Sequence, residues 1–208
     1  RPEVNDAVHG YGGLVLHDVT DERFARKAIE KGADGLVAVA AGAGGHAGAL
    51  SPFALVGEIR RWFDGPLALA GAIATGEGVL AAEAIGADLA HVGSPFIATP
   101  EARADPAYRA MIVAGTAADI VNTDRFSGIA ANYLEASVRA AGFDPAALPV
   151  TRRELDLRAD GDGPRAWRDI WSAGQGIGAV DAVEPAGARI AAFAAAYDRA
   201  RRRLCGSG

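Results

Sequence analysis

The chain has 208 residues, half of them apolar and 23 % charged, with a formal net charge of -5. These figures exclude disordered and fibrous classes and describe one ordinary globular domain with no field to attract nucleic acid. Ala and Gly together make up 75 of the 208 residues, so much of the apolar content is methyl groups and helices must pack closely on strands.

Residues 1–10 carry no apolar stretch of the kind a signal peptide needs, and the chain starts on Arg1 as if in the middle of something larger. The lone cysteine, Cys205, rules out an internal disulfide and a cysteine metal cage. It suits a reducing compartment, and a cytoplasmic location is expected, without a membrane segment.

From residue 13 to 99 one pattern recurs: a short apolar run, a loop, a helical stretch, then Gly-Ala-Asp before the next run. The runs 14–16, 36–39, 67–70 and 89–92 are continuous rather than alternating, which predicts parallel strands covered on both faces. Helices are expected over 21–31, 52–63 and 77–85, with Thr20, Ser51 and Thr75 as N-caps and Gly32 and Gly86 at the C-terminal ends. Four βα units are half of an eight-unit barrel, whose usual size is about 250 residues. The fold class expected is therefore α/β, a TIM (β/α)8 barrel of which this chain supplies about the last four units plus a helical appendage. The missing first half would cover the edge at residues 14–17, either as a segment of the same protein or in another chain.

The longest interval between runs holds a glycine-rich segment, Gly42-Ala43-Gly44-Gly45-His46-Ala47-Gly48, between a buried strand and a helix. In parallel α/β folds that is the ligand-binding edge, and His46 stands at its mouth. The next two strand ends carry Gly71-Ala72 and Gly93-Ser94, each ahead of a helix, and these loops are expected to cradle a phosphate with backbone N–H groups. His9, His17 and His91 lack metal-ligand spacing, so no metal is expected. Gly174-Gln175-Gly176-Ile177-Gly178 follows Trp171-Ser172-Ala173 rather than a buried strand, which removes a dinucleotide fingerprint.

Beyond residue 99 the pattern turns helical. Stretches 105–115, 117–120 and 133–141 read as helices, with Tyr108, Tyr133 and Phe143 as cover for a pocket, and 152–165 as a charged linker. The last stretch, 186–204, places Ile190, Phe193, Ala194, Tyr197 and Leu204 on one face of an amphipathic helix. The expected divisions are 1–104 for the half-barrel with the phosphate site, 105–185 for the appendage and covering loop, and 186–208 for the closing helix and tail.

Gly-Gly-His-x-Gly, a Gly-x-Ile stretch, and Gly-Ala-Asp-x-x-x-x-Gly-Ser-x-Phe-x-Ala-Thr-x-Glu at residues 86–101 together resemble the nitronate monooxygenase (2-nitropropane dioxygenase) family of FMN-dependent barrels. The similarity resumes at residues 171–178. The resemblance implies FMN as cofactor, its phosphate held by Gly71, Ala72, Gly93 and Ser94, with Gly44 and Gly45 against the flavin. It further implies that Gly174 and Gln175 close over the cofactor, that His46 is the catalytic base, and that Gly48 and Tyr133 lie near the substrate. The implied partners are a small molecule, a nitronate or an acyl thioester, and O2, with self-association as a homodimer left open. Gly42, Ala47, Ala72 and Asp18 depart from the common family pattern. Two rival readings stand beside this one: an FMN-dependent enoyl- or acyl-thioester reductase on a related barrel, and a phospholigand-binding module without turnover.

Overall fold

The computed structural model describes residues 2–148 and 165–206. In chain order the elements are α1 (Pro2–His9), β1 (Leu16–Val19), α2 (Glu22–Glu30), β2 (Gly35–Val39), β3 (Gly45–His46), α3 (Pro52–Arg60), β4 (Leu67–Ala70), α4 (Gly76–Ala84) and β5 (Leu89–His91). Then follow α5 (Ser94–Ile97), α6 (Pro106–Ala114), β6 (Ile120–Thr123), β7 (Ala131–Leu134), α7 (Glu135–Ala140) and α8 (Ala186–Cys205).

One parallel sheet runs in the order β1-β2-β4-β5, so successive βα units are spatial neighbours; β2, β4 and β5 fall on the expected runs, whereas β1 starts at Leu16, where the expected run 14–16 ends. Side chains alternate across it. Leu36, Ala38, Leu67 and Leu69 face the helices and meet Leu55, Val56 and Ile59 of α3, whereas Val37, Val39, Ala68 and Ala70 form a second, small-residue layer on the opposite face. Full burial of each Leu or Ile there contributes roughly 1.5–3 kcal/mol. The outer strands are less covered: Leu14 and Leu16 at one edge are 70 % and 41 % exposed, and Leu89 at the other is 56 % exposed.

Local chemistry sets the boundaries. Ser51 and Thr75 cap α3 and α4 by accepting from the amides of Ala54 and Gly78, as expected. Asp21 rather than Thr20 caps α2, because its carboxylate reaches the amide of Phe24 at 2.8 Å while Thr20 ends the strand side of the turn. Gly32 and Gly86 take φ values of +87° and +108° just past α2 and α4, the left-handed step that a glycine allows. Residues 2–9, for which no element was expected, form α1, tied to the sheet by Asn5 donating to the Lys31 carbonyl and by His9 against Asp34.

Two expectations need correcting. Tyr133 does not begin a helix: residues 131–134 form β7, which pairs antiparallel with β6 on one side and with β3 on the other, and only then does α7 start. The pairing is nonlocal and overrides the helical propensity of the Ala- and Leu-rich segment. The face of α8 is also rotated. Arg189 and Ala200 are buried with Phe193 and Tyr197 half-buried, while Ile190 and Leu204 are 58 % and 70 % exposed and Ala194 is exposed. Gly76 at the start of α4 selects this face, since a Cβ there would lie 2.2 Å from the Phe193 carbonyl and 2.3 Å from the Tyr197 amide. The linker expected at 152–165 lies, apart from Arg165, outside the described residues.

Candidate active site

A cleft of about 280 Å³ opens at the C-terminal edge of the parallel sheet. Its wall combines the ends of β1, β2, β4 and β5, through Asp18, Val39, Ala70 and His91, with the loop 42–46, Gly71-Ala72-Ile73, Gly93-Ser94 and Ser172-Ala173-Gly174. Most of the expected site residues thus meet in one place although they come from four separate segments.

The loop that carries His46 is held from behind. Asn132 of β7 is buried and donates its side-chain amide to the Ala43 carbonyl at 2.6 Å, while Asn122 of β6 donates to Asn132 at 2.9 Å. The Gly42 carbonyl accepts from the amides of Ala72 and Gln175 at 3.2 and 2.9 Å, which ties the loop to the next strand end and to the 171–178 segment. Gly44 packs so closely on that segment that a Cβ would lie 2.8 Å from the Gly174 amide. Gly45 takes φ +76° and faces the Trp167 ring. The two-residue strand β3 then places His46 on the cleft wall, with Nε2 3.0 Å from Ser127 Oγ and its ring perpendicular to that of Trp167 at 5.3 Å.

The two loops expected to cradle a phosphate differ in how open they are. Gly93 and Ser94 are open to the cleft: nothing lies within 4 Å of where a Gly93 Cβ would be. Ser94 Oγ accepts from the Gly174 amide at 2.8 Å, which leaves its hydroxyl proton to donate. Gly71 and Ala72 line the cleft, but the Ala72 amide is already spent on Gly42, and the first turn of α4 is capped by Thr75. The expectation of bare N–H groups at both loops therefore holds best at the second. Ala72 has φ +54°, a backbone state that favours glycine.

Gly174 and Gly176 line the cleft, whereas Gln175 between them is exposed and its Oε1 lies 2.9 Å from the position of a Gly42 Cβ. Gly48 lies off the cleft: its amide donates to the Val39 carbonyl, and a Cβ would sit 2.7 Å from that oxygen. Tyr133 is fully buried behind His46, stacked on Trp167 with ring centroids 5.3 Å apart, and does not line the cleft. Phe143 packs in the same hairpin core, as ordinary helix packing would have it.

Tyr108, expected as pocket cover, is on the wall, and three polar groups there were not assigned from the sequence: Asp18, His91 and Ser172. Asp18 and His91 end parallel strands, and that position was the available signal. Tyr108 of α6 donates to the Ser172 carbonyl and stacks on Trp171 at 5.0 Å. Burial pushes its phenol pKa up, so it stays protonated at neutral pH.

The arrangement suits a flat aromatic ring with a phosphate tail. Glycines 42, 44, 71, 93, 174 and 176 leave backbone at the surface, Val39, Ile73 and Ile97 supply apolar wall, and the Ser94 hydroxyl supplies a donor. Among the described residues no group of three or more His, Cys, Asp or Glu could hold a metal ion, and no helix is long and apolar enough to cross a membrane.

Fold and cleft together define a parallel α/β protein with a glycine-lined ligand site at the C-terminal ends of its strands. The chain belongs to the nitronate monooxygenase family, whose model matches residues 1–192. It is 32 % identical over 143 residues to a nitronate monooxygenase from Paraburkholderia phytofirmans, covering 64 % of this chain and 39 % of that protein. To one from Neurospora crassa it is 30 % identical over 208 residues, covering 89 % and 54 %. Among solved structures it superposes on a FabK mutant from Thermotoga maritima with a TM-score of 0.78 at 26 % identity, covering 99 % of this chain and 66 % of that one. On nitroalkane oxidase from Streptomyces ansochromogenes the TM-score is 0.76 at 28 % identity, with 98 % and 62 % covered. The chain thus spans about half the length, or less, of these curated relatives.

Proposed function

We propose that this chain forms the flavin- and substrate-binding half of a (β/α)8 barrel that oxidises nitroalkanes or their nitronates with O2, using FMN, with His46 as base. The single observation that carries the reading is convergence: His46, the Gly93-Ser94 turn and the Ser172–Gly174 segment share one cleft at the strand C-termini. The exposed edge strands β1 and β5 suit a barrel whose remaining four βα units pack against them, which accords with the greater length of the relatives.

In this reading FMN, when bound, supplies the redox chemistry, and the chain binds, orients and handles the proton. The Ser94 hydroxyl and the Gly93-Ser94 backbone would hold the phosphate, with Gly71 and Gly174 leaving room for it. Val39, Ile73 and Ile97 exclude water from one side of the ring. His46 takes the proton from the carbon next to the nitro group, leaving the nitronate anion in the cleft, because imidazole exchanges protons readily near neutral pH.

The test compares His46→Asn with wild type on a neutral nitroalkane and on the same compound pre-ionised to its nitronate. Turnover on the neutral form should fall about 10²–10⁴-fold, and most turnover on the anion should remain. Equal losses on both forms would make His46 a binding residue. Flavin reduction by NAD(P)H followed by reoxidation with an enoyl thioester, with neither nitro form consumed, would replace this reading by a thioester reductase.

A further inference from the structure

The hydroxyl of Ser127 has one proton and three polar neighbours. It donates to the Ile129 carbonyl at 2.9 Å, a group that can only accept. Its oxygen is then left as an acceptor for the other two, His46 Nε2 at 3.0 Å and the Tyr133 hydroxyl at 3.4 Å. We propose that Ser127 is a positioning residue that fixes His46 in the Nε2–H tautomer, so that Nδ1 carries the lone pair that works as base. The catalytic part of this statement rests on the proposed function above; the tautomer itself does not.

Three features support the assignment. Tyr133 is fully buried and keeps its proton, which its hydroxyl donates to Ser127 Oγ, so the Ser127 proton stays with the nearer Ile129 carbonyl. The Trp167 ring stands perpendicular to the imidazole and itself stacks on Tyr133, which limits rotation of His46 and keeps the two ring nitrogens from exchanging places. Trp167 has φ +68°, a rare state for a bulky residue, held by its amide donating to the Ile170 carbonyl at 2.9 Å. The ring is thus held by a hydroxyl on one nitrogen and an aromatic ring beside it, the arrangement by which a neighbour decides which nitrogen of a histidine is free.

The experiment reads the tautomer directly. In the full-length protein labelled with 15N-histidine, at about pH 8.5 where an ordinary imidazole is neutral, two-bond 1H–15N correlations distinguish the protonated nitrogen. The His46 signals are identified by their loss in His46→Asn. The expected result is Nε2–H in wild type, Ser127→Thr and Tyr133→Phe, and a mixture with Nδ1–H in Ser127→Ala. Nδ1–H in wild type, or an unchanged tautomer in Ser127→Ala, overturns the proposal. Alongside, Ser127→Ala should slow turnover of a neutral nitroalkane about 10–100-fold, the usual weight of a residue that orients an imidazole, and leave nitronate turnover unchanged. A changed tautomer with unchanged turnover on the neutral form upholds the lock and removes His46 from the base role.

Discussion

Asp88 clasps Leu67 on both sides of its Cα: its carboxylate accepts from the Leu67 amide at 2.8 Å while its own amide donates to the Leu67 carbonyl at 2.8 Å. Asp34 repeats the contact two units earlier, with Val15 at 2.7 and 2.8 Å. The recurrent Gly-Ala-Asp of the sequence is therefore the device that joins β2 to β1 and β5 to β4. Arg60 backs Asp88 with an ion pair at 2.6 Å, and His9 backs Asp34 at 2.8 Å.

These clasps make stability depend on acid. The backbone amide of Leu67, then Arg60, hold the Asp88 pKa below its ordinary value, and the amide of Val15, then His9, do the same for Asp34. A carboxylate depressed in the folded state stabilises above its unfolded pKa, near 3.9, and that contribution is lost as pH falls through the depressed value. The thermal midpoint of wild type should fall steeply below about pH 4, and in Asp34→Asn/Asp88→Asn it should start lower and fall less over the same range. Parallel curves for the two proteins would remove the carboxylates from the acid response.

Gly76 and Gly57 form a matched pair. An alanine at Gly76 would drive its Cβ into the backbone of α8 at Phe193 and Tyr197, whereas Gly57 in α3 has nothing within 4 Å. Gly76→Ala should destabilise by about 1–3 kcal/mol or more through overpacking. Gly57→Ala should stabilise by roughly 0.5–1 kcal/mol through helix propensity. Denaturant titration of both variants measures this, and a Gly76→Ala protein as stable as wild type would mean that α8 does not dock on α4.

The parallel strands were legible because β2 and β4 are buried on both faces and so read as unbroken apolar runs, and Ser51 and Thr75 because caps act within three residues. What stayed hidden depends on partners far along the chain. Residues 131–134 become a strand through pairing with Ile120–Thr123 and with Gly45–His46. The buried face of α8 is chosen by a glycine on another helix. His46 and its glycine loop stood out, yet Ser127, 81 residues on, gives no local sign of meeting it. Asp18 and His91 had a readable position at strand ends, but the side from which the cleft would approach them required the fold.

Ala72 tests whether the cleft stores strain. At φ +54° an alanine costs about 1–2 kcal/mol that a glycine does not, against roughly 0.5–1 kcal/mol of extra chain entropy lost by glycine on folding. Ala72→Gly should therefore leave stability unchanged or raise it by up to about 1 kcal/mol, the reverse of an ordinary alanine-to-glycine change. A loss of more than about 1 kcal/mol in thermal or denaturant unfolding would show that Ala72 is not strained.

Gly93 and Gly71 separate ligand binding from folding. A side chain at Gly93 meets no protein atom within 4 Å and projects into open cleft, and its φ of -115° is negative, so no left-handed strain opposes a Cβ there. Gly71 has φ +148°, and a Cβ there would lie 3.0 Å from the Ala41 carbonyl and 3.3 Å from the Ala40 side chain. Gly93→Val should thus keep its unfolding free energy within about 0.5 kcal/mol of wild type, as surface changes usually do, while losing bound flavin. Gly71→Val should lose both. His46→Asn, which leaves the Gly93-Ser94 turn intact, should lose neither. The measurement is the ratio of flavin absorbance to protein after purification, paired with a thermal midpoint for each variant. Full flavin content in Gly93→Val would move the phosphate away from the Gly93-Ser94 turn and leave the Ser94 hydroxyl without its assigned task.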